Sequence, residues 1–129
     1  MVNERIDEAT AFRMFAYWSS VLDLNRWSIK FQWKVKATEM NINDAFGCAT
    51  FNKVTRLAII QIIDQDDVTE PMGKFDYEKT LVHELLHLKM AFLDDSGDDL
   101  RDTLTHAMID DLAVSFVKAR TEKIENVKI

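Results

Sequence analysis

The sequence predicts a single α+β domain, with helices at both ends and a small, mainly antiparallel three-stranded sheet between them. Three observations carry this expectation. Apolar residues recur at helical spacing near the start of the chain and again at Leu81, Leu85, Leu88 and Phe92, they alternate strictly from Trp27 to Ala37, and breakers are scarce, with one proline and three glycines in 129 residues. That length supports one hydrophobic core and not two, so residues 1–129 are expected to form one domain.

From about Glu4 to Leu24 there is neither Gly nor Pro, and Ile6, Phe12, Phe15 and Leu22, flanked by Met14, Trp18 and Val21, form an apolar stripe. This is an amphipathic helix, with Asn3 as its candidate cap. Next, Trp27, Ile29, Phe31, Trp33, Val35 and Ala37 point one way and Ser28, Lys30, Gln32, Lys34 and Lys36 the other, the pattern of a half-buried strand. The lysines of that strand read as a solvated face. Glu39 to Asp44 is a turn, and Ala45–Asn52 and Thr55–Ile63 are two further strands. The run Leu57-Ala58-Ile59-Ile60 predicts that the last is buried on both faces. An acidic loop, Asp64 to Lys74, contains Pro71 and Gly73. Asp76 then caps a helix to about Leu93, Asp94–Asp98 make an acidic turn around Gly97, and a last helix runs from about Asp99 to Lys123.

Composition narrows the function classes. With 47% hydrophobic and 29% charged residues the chain reads as an ordinary soluble globule. Its net charge of −6 repels phosphate backbones, so no nucleic-acid partner is expected. Cys48, the one cysteine, leaves no intrachain disulfide and no thiolate zinc site, and is expected to be a small core residue. The first residues lack an apolar signal core and no apolar run reaches membrane-spanning length, so the expected compartment is the cytoplasm, without a membrane partner.

Residues 83–87 read His-Glu-Leu-Leu-His. At about 100° per residue, His87 lies about 40° from His83 around a helix and Glu84 about 100° away, so all three share one face. The i,i+4 spacing lets both imidazoles hold one tetrahedral ion, while Glu84 is turned too far to ligate easily and is placed to take a proton from a water that the metal activates. Shuffling would produce this pattern in well under about one per cent of such chains. A zinc site needs a third protein ligand. His106 is the remaining histidine, with eighteen residues between it and His87, and a helix, a turn and a returning helix would bring it back. Asp94, Asp95, Asp98, Asp99 and Asp102 are rivals for that place. Asp110, four residues after His106, can accept the spare ring N–H of a ligating histidine or stand as a solvated acid; Asp111 points elsewhere.

With these motifs the chain resembles the zincin metallopeptidases over roughly residues 45 to 115. The metzincin extension, which would put Gly at 90 and His at 93, is excluded by Met90 and Leu93. The arrangement is similar to the gluzincins, whose second helix supplies Glu-x-x-x-Asp; here His106-Ala107-Met108-Ile109-Asp110 has His in place of Glu. The small body resembles compact phage and prophage zincins. SprT-like proteases also pair His-Glu-x-x-His with a later histidine, but many carry a cysteine zinc ribbon that this chain cannot build. The resemblance implies zinc-dependent hydrolysis of a peptide or protein substrate, with Glu84 as general base. It also implies an extended substrate along a sheet edge, for which Ala45–Asn52 is the candidate, with Gly47 allowing a close approach or a bulge. Tyr77 is a candidate oxyanion donor or a packing residue of the capping turn; Arg101 and Lys89 read as surface charges. The competing expectations are a non-catalytic zinc-binding regulatory or interaction protein on the same scaffold, and a small interaction protein that binds metal for stability alone.

Overall fold

The computed structural model describes residues 6–43, 45–91 and 99–127. Helix α1 (Glu8–Val21) leads into strand β1 (Ser28–Val35); β2 (Gly47–Asn52) and β3 (Leu57–Ile63) follow, then α2 (Tyr77–Lys89) and α3 (Asp99–Val127). The chain is therefore α+β, in the element order that the sequence predicts. Asn3, Phe92, Leu93 and the turn at 94–98 lie outside the described residues.

The helix boundaries have local causes. Asp7 caps α1, its Oδ1 accepting from the Thr10 N–H at 2.7 Å. The helix closes at Asp23, which takes φ 54° while its N–H donates to the Ser20 carbonyl and that of Leu24 to Ser19. This pair of bonds around a left-handed residue satisfies the last carbonyls, with Asp in the place usually held by Gly. Asp76 caps α2 as expected, its Oδ1 accepting from the Lys79 N–H at 3.1 Å.

The sheet differs from the expected one. The strand order is β1-β3-β2, with β2 antiparallel to β3 and β1 parallel to β3. It is thus mixed, not mainly antiparallel. The physical reason lies in β3: Ile60, Ile62 and Ile63 are buried and so is Gln61, and a strand covered that fully belongs in the centre. Burial on both faces holds for Ile60–Ile63, whereas Leu57 is exposed and Ile59 half-buried. The alternation of β1 is interrupted between Gln32 and Val35, where Lys34 adopts φ 61° and β1 gains one residue against β3.

The strand register puts Phe31, Ile60 and Ala49 on one face together with Ile62 and Gly47. The helices cover this face: Phe15 stacks on Phe31 with ring centroids 4.5 Å apart, and α2 lies against β2 and β3. The core is built from Ile60 and Ile62, from Leu81, Val82, Leu85, Leu86 and Leu88 of α2, and from Ile109 of α3. The opposite face is more polar. There Gln61 donates to Gln32 Oε1 (3.0 Å) and accepts from the Asn41 N–H (2.9 Å), fastening the segment after β1 across the sheet. Lys30, Lys34 and Lys36 are exposed, as a solvated face requires. Among the described residues no helix is long and apolar enough to cross a membrane.

Candidate metal centre

Helix α2 buries one side in the core through Leu81, Leu85 and Leu88 and turns the next strip of its surface to a cleft of about 530 Å³. Spacing fixes which residues appear there: Lys79, His83 and His87 recur at i,i+4, with Thr80 and Glu84 one residue on. The edge strand β2 forms a second wall through Gly47, Cys48 and Ala49, and α3 contributes His106 and Asp110.

The three histidines meet. Ring centroids are 5.1 Å apart for His83–His87, 5.2 Å for His83–His106 and 5.0 Å for His87–His106, close to an equilateral triangle. His83 Nε2 and His87 Nε2 stand 3.3 Å apart. Each ring offers one nitrogen such that all three lie within 4.8 Å of one another, so the group could hold a metal ion. Of the rival aspartates, Asp94, Asp95 and Asp98 lie outside the described residues, as does the side chain of Asp99, and Asp102 is not in the group. His83 and His87 are half-buried and His106 is exposed. Burial, followed by the neighbouring His87 and His106, lowers the His83 pKa to about 4 against the opposing pull of Asp110, which keeps this imidazole neutral and its lone pair free.

Asp110 serves a different histidine from the one its spacing suggests. Its Oδ1 lies 3.5 Å from His83 Nδ1, across on α2, and not against His106 on its own helix. A carboxylate at Nδ1 favours the tautomer whose Nε2 is unprotonated, and Nε2 is the atom that faces His87. Lys79 Nζ is 3.8 Å from the same oxygen.

Glu84 is 7% exposed, and desolvation raises its carboxyl to about 8. Gly47 lies directly over it. A Cβ on Gly47 would stand 2.9 Å from both Glu84 Cγ and Thr80 Cγ2 and 3.0 Å from Glu84 Oε2. The glycine therefore marks a close approach; β2 pairs with β3 without a bulge. Tyr77 does not face the cleft. It is buried, and its hydroxyl donates to the Ala11 carbonyl at 3.2 Å, so it packs the capping turn against α1. Lys89 is exposed, and the side chain of Arg101 lies outside the described residues. Cys48 is half-buried on the cleft wall, its Sγ 3.7 Å from Thr50 Oγ1.

Sequence reasoning missed a support behind the site. Glu78, in the first turn of α2 and 8% exposed, accepts hydrogen bonds from Trp18 Nε1 (2.8 Å) and from Arg120 Nη2 (2.6 Å) and Nε. One carboxylate thus ties α1, α2 and α3 together. Partners 42 and 60 residues apart on separate helices carry no local signal in the chain.

The sequence matches no protein-family model, and neither a curated protein nor a solved structure is significantly similar to it.

Proposed function

We propose that this chain is a small zinc-dependent metallopeptidase, with His83, His87 and His106 as ligands and Glu84 as general base. The observation that carries the reading is the convergence of three imidazoles beside one desolvated carboxylate in an open cleft. The donor set suits zinc. A tetrahedral ion about 2.0–2.1 Å from each nitrogen spaces its ligands about 3.3–3.4 Å apart, and the His83 and His87 Nε2 atoms are already at 3.3 Å. A site built only for stability would not need a carboxylate next to its first ligand.

When bound, zinc supplies Lewis acidity, lowers the pKa of a coordinated water toward about 7 and favours the ionised form of the neighbouring carboxylate. The remaining work falls to the chain. Glu84 accepts a proton from the attacking water and returns it to the leaving amine. Asp110 holds the proton of His83 at Nδ1. The outer edge of β2 offers main-chain groups to an extended peptide, and Gly47 lets that edge run close to Glu84.

Metal analysis and a digest of a broad peptide library test the reading. Purified protein should hold one equivalent of zinc, which raises the melting temperature by on the order of 10 °C when well above its Kd. His106→Ala should lose that shift while the metal-free protein melts as before, because the residue is exposed. Glu84→Gln should keep the zinc and lose on the order of 10²–10⁴ in cleavage rate. Full zinc retention by His83→Ala would sink the site. Zinc-loaded wild type that cleaves no peptide would leave a non-catalytic metal-binding scaffold.

A further inference from the structure

We propose, building on the peptidase reading, that Lys74 and Lys79 form a carboxylate-recognition subsite, so that the preferred substrate is a peptide with an acidic group close to the scissile bond. Both lysines line the same cleft as the histidines. The cleft also contains three described carboxylates, but each is engaged or buried. Asp76 caps α2 through the Lys79 N–H, Asp110 lies between His83 and Lys79, and Glu84 sits under Gly47. The cations are less committed. Lys79 meets Asp110 only at 3.8 Å with its side chain 42% exposed, and Lys74 forms no ion pair or hydrogen bond among the described residues. In a chain of net charge −6, the loosely held charge facing the cleft is positive.

Lys74 is also held in place. Gly73 before it adopts φ 96° and ψ −167°, a conformation essentially reserved for glycine, and its N–H donates to the Glu70 carbonyl. Phe75 after it is buried and packs on Phe46 of the cleft wall, ring centroids 5.3 Å apart. The backbone on both sides of Lys74 is thus anchored, and the lysine is presented at the mouth of the cleft. Lys79 lies one helical turn before His83, which puts it alongside the first ligand and not at the metal itself. A substrate carboxylate that replaced or joined Asp110 at Lys79 and reached Lys74 would be bound by two ammonium groups, point charges that take a side-chain carboxylate or a free C-terminus equally well.

Calorimetric titration of zinc-loaded Glu84→Gln protein with uncleaved peptides of one length tests this. One peptide carries Asp and a C-terminal amide, one Asn and a free C-terminus, one Asn and an amide, and one Lys and an amide. At least one carboxylate peptide should bind about fivefold more tightly than the neutral one, and which of the two does so identifies the source of the carboxylate. That gain should vanish in Lys74→Ala/Lys79→Met and shrink at about 0.5 M salt. Lys74→Glu, a change at an exposed position, should turn the preference toward the Lys peptide. A preference that survives the double variant places the carboxylate on the metal and overturns the proposal. Equal binding of all four peptides overturns it as well and leaves the peptidase reading standing, whereas absence of binding by every peptide removes both.

Discussion

Gly47 has no side chain, and the volume where a Cβ would stand is filled by Glu84 and Thr80. Because both neighbours belong to a helix packed into the core, the strand cannot move away without cost. Gly47→Ala should destabilise the protein by about 1–3 kcal/mol, the range for overpacking a well-filled site. Denaturant unfolding would measure it, and Gly47→Ala/Thr80→Ser, which removes the clashing Thr80 methyl, should recover part of the loss. An unchanged midpoint in Gly47→Ala would mean that the approach is looser than these distances state. At this scale the sequence was legible where chemistry comes in a fixed spacing. His83, Glu84 and His87 lie within five residues, and helical pitch alone puts them on one face. Asp110 reads in the sequence as a candidate neighbour for one of the histidines, but that it lies beside His83 depends on how α3 lies against α2, which no spacing within α3 contains.

Among the elements, the helices were easier to read than the sheet. Asp76 as the cap of α2 follows from side-chain chemistry within four residues. The mixed sheet does not, since period-two patterning marks a strand without naming its neighbour or direction. Helix α3 is held to α2 by Ile109 in the core and by Arg120 on Glu78. Removing the cation should cost more than removing the pair. Arg120→Met leaves the Glu78 carboxylate buried with only the Trp18 N–H, and we expect a loss of about 2–3 kcal/mol, below the full range for a buried pair because Arg120 is partly exposed. Glu78→Gln/Arg120→Met should lose less. Since the clamp fixes α3, and α3 carries His106, zinc affinity measured by competition with a chelator should fall in Arg120→Met as well. A single variant with full stability and full affinity would show that Ile109 and its neighbours hold α3 unaided.

For the molecule as a whole, the site is assembled from three parts of the chain, β2, α2 and α3, around a helix whose opposite side is the core. That division lets one sequence segment serve packing and chemistry together: Leu81, Leu85 and Leu88 face inward while His83 and His87 face the cleft. The insertion of β3 between β1 and β2 has a further consequence, for the order of events in folding. β2 and β3 are joined by a short turn in which Asn52 Oδ1 accepts from the N–H groups of Val54 and Thr55, so their ladder closes over a few residues. Among the described residues β1 pairs only with β3, and its first contact, Ser28 with Leu57, closes a loop of about thirty residues, far longer than the one the hairpin closes. The hairpin and α2, which carry Gly47, Glu84 and two of the histidines, can therefore come together before β1 docks. Substitutions should divide accordingly. Ala49→Gly in β2 should mainly slow folding, and Ile29→Val in β1 should mainly speed unfolding, as read from the two arms of a denaturant chevron. The reverse pattern would mean that the parallel ladder forms first.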